Sequence, residues 1–543
     1  QSGDSPVTED VRMRAFRLRF LSMAAALLAT PLSFPAVAAT PADTLVMARN
    51  LDDIISLDPA EVYEFSSGEI LNNVYDRLFV FDPSDFTKVV GGVAESWSVS
   101  ADGLVFTLKI RDGLKFHSGN PLTAADAAFS LQRVVMLGKL PAFILAQFGW
   151  TPENVAEMVT APDDRTLVLR ITKPFAPSFV LNSLAAGVAS VVDRKEVEAH
   201  AENGDFGNGW LKTRSAASGA YRIASWQPKQ AMVLEANPDF YRGAPKLNRI
   251  VVRYVPEPSA QRLLLEKGDI DIARNLTTDQ VAALAGNADV KVVTTPKTTV
   301  LYMGLNQKYE PLTKPKVREA LRWLVDYEGL TGSVLKGQWV VHQAFWGSGS
   351  AGALDTIPFR LDPEKAKALL AEAGYPDGFD LAIDVSNTDP YLSIGQSLQS
   401  TFAQGGVRVS LVQNETKQLL TKYRARQHQG VVIYWSPDYL DWNSSAEFFT
   451  ANPDNSDDAT NKTGAWRSAW DIPELTKITY AAIGIADPAE RMKTYLDLQE
   501  TVQKDSPFLV MFQQTDQAVL RADVTGYIAG PSFDTAVYWL IDK

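Results

Sequence analysis

The sequence predicts an α/β protein of more than one domain, and three observations carry that prediction. Residues 381–435 alternate between short apolar strand patterns and helical patterns, as β-α-β-α-β, which is how parallel strands joined by right-handed crossovers read. A chain of 543 residues exceeds what one hydrophobic core organises, so two or three domains are expected. A composition of 46% hydrophobic and 21% charged residues is that of ordinary globular proteins, leaving no large part too polar to fold.

Taken in order, the chain begins with an export pattern. Arg14, Arg17 and Arg19 precede an apolar stretch over 20–32, and Ala36-Val37-Ala38 supplies small residues at a cleavage position. That is the layout of a secretory signal; the stretch is too short, and too broken by Pro31 and Pro35, for a membrane span. The expected mature N-terminus is Ala39 or Thr40, in the periplasm and without a membrane anchor; Met13 is a candidate start. A strand over 44–48 follows, then a helix over 66–78 with apolar residues at Ile70, Leu71, Val74 and Leu78. Phe106, Leu108 and Ile110 alternate with polar residues behind an Asp102-Gly103 turn, as do Leu167, Leu169 and Ile171 behind Asp163-Asp164. Residues 218–300 are mixed, including a helix over 259–267 stopped by Gly268. Val317, Ala320, Leu321 and Leu324 have helical spacing. Asp362-Pro363 is an N-cap with proline at the first helical position, and Gly374 ends that helix. Strands over 381–385, 407–412 and 430–435 enclose helices over 392–402 and 416–426. A strand over 508–512 and a β-rich segment from Val524 complete the chain.

Composition also excludes chemistry. A formal charge of -12 opposes nucleic-acid binding, which needs a basic surface, and suits a monomer with no affinity for anionic lipid. There is no cysteine, hence no disulfide, thiolate metal site or thiol nucleophile. The histidines His117, His200, His342 and His428 are scattered and form no metal-ligand spacing. Gly347, Gly349 and Gly352 satisfy G-x-G-x-x-G, but the preceding residues make a poor buried strand and Pro358 interrupts any following helix, so a flexible loop is predicted. No nucleophile elbow or phosphate loop is present. No cofactor, metal or enzymatic activity is expected.

The segment 430–441, GVVIYWSPDYLD, is the strongest candidate for a binding site. An apolar strand ends at Ser436-Pro437 and delivers Asp438, and ligands of open α/β sheets bind beyond the carboxyl ends of the strands. An acid among Trp435, Tyr439 and Trp442 suits a partly apolar ligand with a positive charge. Position alone leaves a second reading open, in which Asp438 caps the next helix. The three aromatics are pocket or core. Tyr63, Glu64 and Phe65, after the first strand, are candidates for the opposing wall, and Arg274, after Asp269-Ile270-Asp271, for a ligand carboxylate.

Several segments resemble the bacterial extracytoplasmic solute-binding proteins of family 5, the peptide, nickel and opine class. The core Phe106-x-Leu108-x-Ile110-Arg111-Asp112-Gly113-x-Lys115-Phe116-His117-x-Gly119 with Thr123-Ala124-x-Asp126 resembles the family signature. Residues 218–223, 237–243 and 268–271, Val317-Arg318-x-Ala320, and 374–378 add to it in order. His117 and the glycines there read as turn residues of the fold, not ligand contacts.

The resemblance implies a two-lobed fold like that of type II periplasmic binding proteins (cluster C), with three domains. Domain one would comprise 39–80, 217–300 and 513–543, domain two 81–216, and domain three 301–512, after a signal segment over 1–38. The chain would leave for domain three around 302–306 and return around 512–515. It also implies capture of a di- or oligopeptide, or a related amine-bearing solute, by lobe closure, and delivery to the permease of an ABC importer. In peptide-binding members an aspartate in a W-x-x-D context grips the α-ammonium, and Trp435-Ser436-Pro437-Asp438 matches that context; Trp442 departs from the proline many relatives carry. Alternatives are a receptor for a metal chelate, opine or glycoside, a chemoreceptor-docking protein, or a periplasmic hydrolase on the same scaffold.

Overall fold

A computed structural model describes residues 40–459, 461–532 and 534–543; the signal-like segment and its cleavage position lie outside the described residues. The dominant element is an 11-stranded mixed sheet. Its spatial order is Arg408–Asn414, Asp380–Ser386, Gly430–Trp435, Val290–Leu305, Phe508–Arg521, Ile272–Ala273, Thr44–Arg49, Arg249–Tyr254, Ala231–Ala236 and Tyr221–Gln227, with Trp339–Val341 pairing beside Phe508–Arg521. Asp380–Ser386 is parallel to both Arg408–Asn414 and Gly430–Trp435, as the β-α-β-α-β pattern predicts. Thr44–Arg49 is likewise parallel to its two neighbours.

Two long antiparallel strands join these parallel halves. Val290–Pro296 pairs with the far end of Phe508–Arg521, and Val300–Gly304 with its near end. Between them the register slips: Pro296 faces Thr515 and Val300 faces Gln513, so Lys297 to Thr299 oppose Gln514 alone. Proline cannot donate to a ladder, and the register shifts just beyond it within one continuous strand. Val46 and Val519 share one apolar cluster. A separate four-stranded antiparallel sheet (Ala94–Val99, Val105–Ile110, Thr166–Arg170, Val159–Asp163) packs on the helix Ala124–Leu137.

Caps and stops follow their chemistry. Asp362 accepts a hydrogen bond from the Lys365 amide, and Gly268 and Gly374 take φ of 77° and 92° beyond their helices, a region that favours glycine. Three elements differ from the sequence reading. The helix predicted over 66–78 ends at Val74, because Tyr75 is extended; Ile70, Leu71 and Val74 face one core and Leu78 another. The strand starting at Phe508 continues to Arg521. From Val524 onward the chain is largely irregular, with two-residue strands. Among the described residues no single helix is long and apolar enough to cross a membrane.

Candidate functional site

Asp438 leaves the carboxyl end of Gly430–Trp435, and Tyr63 lies in the connection between Thr44–Arg49 and the helix Phe65–Val74. Both therefore project from ends of parallel strands, where such sheets leave a crevice. They meet there: the Tyr63 hydroxyl donates to Asp438 Oδ1, and the Asp438 amide donates to Ser444 Oγ at 2.9 Å. Ser436 is held from behind by Thr299, their hydroxyls 2.6 Å apart.

Tyr63, Asp438, Tyr439 and Leu440 line a small, partly open cavity, with Arg77, Ile144, Ala185 and Val188 among its other walls. Burial pushes the Asp438 carboxyl up to about 6, with Glu447 adding to the shift, while the Tyr63 hydrogen bond and Arg467 oppose it. Among the described residues no cation stands within ion-pair distance of Asp438. Glu447, close by, is also raised by burial. Of the charged residues on the cavity wall, Arg77 pairs with Asp534, which leaves Asp438 without an ion-pair partner among the described residues. Helix capping belongs to another residue: Asp441 accepts from the Asn443 amide at 2.9 Å at the start of Trp442–Thr450.

Across Leu440 and Phe81, which line both spaces, lies a larger, more open cavity of about 550 Å³. Its walls include Lys297, Trp346, Ser348, Asp441, Trp442, Arg491 and Gln513. Asp441 and Arg491 form a bidentate pair at 2.5 and 3.1 Å, both side chains almost fully buried. The pair also bridges the crevice, because Asn182 donates to Asp441 Oδ2 at 2.9 Å and Arg491 donates to Ser178 Oγ at 3.1 Å. Tyr439 crosses too: its ring packs edge-on to Phe179 and its hydroxyl donates to Gln147 at 3.1 Å. With Ala176 N bonded to Ile483 O at 2.8 Å, these contacts close the crevice.

The predicted site residues thus separate. Asp438, Tyr439 and Tyr63 come together around the smaller cavity, and Trp442 lines the larger one with its indole donating to Ala351 O at 2.7 Å. Trp435 lines neither; it stacks on Phe448 at 3.8 Å in the packing beneath the loop. Glu64 precedes the helix Phe65–Val74, its carboxyl raised by burial; Phe65 is partly exposed beside it, and neither lines a cavity wall. Arg274 is not brought to the crevice. It pairs with Glu69 at 2.7 Å and Asp516 at 2.9 Å, which hold it well above the ordinary arginine range against its burial. Sequence reasoning missed Asp441, Arg491, Lys297 and the Phe81–Leu440 wall. Aspartate just before a helical segment is a cap signal that could have found Asp441, and Pro296 could have pointed to the register shift beside Lys297; Arg491 and Phe81 carried no local signal.

Residues 88–457 match the model of the bacterial extracellular solute-binding proteins, family 5 Middle. The chain is 29% identical to a probable D,D-dipeptide-binding periplasmic protein of Escherichia coli K12, covering 95% of this chain and 98% of that one. It is 25% identical to a glutathione-binding protein of Pectobacterium atrosepticum, covering 88% and 90%. A periplasmic binding protein associated with an ABC transporter of Helicobacter pylori, solved with a bound peptide, superposes with a TM-score of 0.75 at 24% identity, covering 92% and 98%. The shared architecture is that of the type II periplasmic binding proteins.

Proposed function

This chain belongs to the bacterial extracellular solute-binding proteins of family 5, and we propose that it is the substrate-binding subunit of an ABC importer for short peptides or a related amine-bearing solute. One observation carries the reading: Asp438 is a half-buried carboxylate in the crevice, and among the described residues no cation is within ion-pair distance of it. Such burial is unfavourable unless a charged partner arrives. A peptide α-ammonium supplies the charge and up to three donors. The names of the E. coli and Pectobacterium relatives, a probable D,D-dipeptide-binding protein and a glutathione-binding protein, support this.

The subunit performs no chemistry. It closes on ligand as a monomer in the periplasm and offers the closed form to the permease, its basic-apolar N-terminal segment having been removed without lipid attachment. Domain one is assembled from 39–80, 217–300 and 513–543, domain two is 81–216, and domain three is 301–512. The register slip at 296–300 and the facing residues 513–515 form the hinge, a few residues that absorb backbone rotation while the lobes stay rigid.

Calorimetric titration with a dipeptide library and its N-acetylated counterpart tests the ammonium role. Asp438→Ala is expected to weaken binding by about 2–5 kcal/mol, roughly 30- to 5,000-fold. Equal affinity for free and acetylated peptides would sink the reading.

A further inference from the structure

We propose that one flank of the crevice is clasped by contacts that need no ligand, and that Gln147 and Asn182 are positioning residues whose bonds across it raise the affinity for every ligand by one common factor. This rests on the lobe division and closing motion given above, and adds to them a closed population of the ligand-free protein.

On this flank the bridging bonds run from residues 147–182 to residues 439–491, and none of them ends on Asp438. Tyr439 donates to Gln147 Oε1 at 3.1 Å, and Gln147 is steadied by donating to Ile144 O at 3.0 Å. Asn182 donates to Asp441 Oδ2 at 2.9 Å, Arg491 to Ser178 Oγ at 3.1 Å, and the Ala176 amide to Ile483 O at 2.8 Å. The joint is apolar as well. Tyr439 and Ile483, 5% and 6% exposed, pack in one cluster with Phe175 and Phe179, so parting the lobes returns apolar surface to water. Asp441 and Arg491 pair with each other inside 301–512, so closing this flank strands no charge.

Asp438 opposes the clasp. It lines the adjoining cavity without an ion-pair partner among the described residues, and Tyr63 offers it a neutral hydroxyl only. Closing without ligand takes water from this carboxylate and returns no counter-charge, which is unfavourable; an ammonium removes the penalty. Clasp and carboxylate thus pull the ligand-free protein in opposite directions, and both states are populated. Observed affinity is that of the closed form multiplied by the fraction of protein able to adopt it. A change confined to the clasp therefore rescales all ligands alike. Gln147 lines neither cavity and is the cleaner probe; Asn182 lines the larger one, with its amide committed to Asp441.

The chain has no cysteine, so Glu153→Cys and Lys417→Cys, both at exposed positions, put a dye pair on the two lobes. Single-molecule energy transfer on the ligand-free protein is expected to resolve an open and a compact population. Gln147→Ala and Asn182→Ala should each shrink the compact one, and Asp438→Asn should enlarge it. Calorimetry with the three tightest dipeptides of the library should show Gln147→Ala weakening all three by the same factor, up to about fivefold for one hydrogen bond, with their ratios unchanged. A single open population in the ligand-free protein overturns the proposal. So does a compact population that Gln147→Ala leaves unchanged while lowering the melting temperature, the mark of a merely structural role. A loss that differs among the dipeptides makes Gln147 a ligand contact and also overturns it, as does an Asp438→Asn variant no more compact than the wild type. Indifference of all dipeptides to N-acetylation sinks the ammonium role alone, because the ligand-free populations still decide the clasp.

Discussion

Acidification through pH 6 is expected to release an amine-bearing ligand, and Asp438 sets both the midpoint and the slope. Its carboxyl is pushed up to about 6 by burial, with Glu447 adding to the shift and Tyr63 and Arg467 opposing it. A ligand ammonium binds the ionised form and so lowers the pKa of the complex below that of the free protein. Affinity is therefore complete above the free-protein pKa and lost as pH falls through it. With a free-protein value near 6, about one protein in ten carries the charge at pH 5, so affinity falls roughly tenfold from its plateau. Titration of a bound dipeptide between about pH 4.5 and 8, followed by tryptophan fluorescence or calorimetry, stays above the titration of the peptide's own carboxylate. Asp76 is also pushed up to about 6, and Asp438→Asn provides the control because it leaves Asp76 unchanged. The Asn variant should bind weakly and without the pH 6 inflection. A wild-type midpoint at the ordinary aspartate value would mean that water reaches the carboxylate, and an inflection surviving in the Asn variant would assign it elsewhere; either refutes the reasoning.

Three further substitutions probe the same architecture. Tyr63→Phe removes a hydrogen bond that lowers the Asp438 pKa, so the acid midpoint should move above 6; an unmoved or lower midpoint contradicts the pairing. Asn182→Ala deletes a bond to Asp441 across the crevice, and if closure stabilises the complex, ligand affinity should fall about fivefold, near 1 kcal/mol, with the melting temperature little changed. Arg133→Met leaves Asp58 buried with Asn208, at 2.7 Å, as its side-chain donor among the described residues, after loss of a bidentate arginine at 2.5 and 2.8 Å; urea unfolding should show a loss of about 3–5 kcal/mol, and a loss below 1 kcal/mol would contradict that account.

Local chemistry was legible wherever its partner lay a few residues away. Asp362 and Gly374 bound a helix because capping and positive φ are settled within one turn. The run over 380–435 was legible because each strand alternates or is continuously apolar beside its own helix. The continuation to Arg521 was not, since Gln513, Gln514, Thr515, Asp516 and Gln517 show no apolar alternation; their strand forms because Val290–Pro296, more than 200 residues earlier, pairs with it. Leu78 continued the helical spacing of Ile70 and Val74 by coincidence, as its burial in a different core shows.

Charges divide along the same line. The sequence singled out Arg274 and passed over Lys297, and nothing local to either shows which cation is already paired. Glu69 and Asp516 neutralise Arg274 from 205 and 242 residues away, whereas Lys297 meets only carbonyls. The same distinction holds for the aspartates: Asp441 and Asp438 lie three residues apart, yet Arg491 pairs with one, and among the described residues no cation pairs with the other. Which charge remains available to a ligand is decided by long-range pairing, a property of the fold that composition and spacing do not carry. Asp438, which the sequence already singled out, is a candidate anchor because long-range pairing leaves it unmatched, and Arg274 is not because long-range pairing neutralises it.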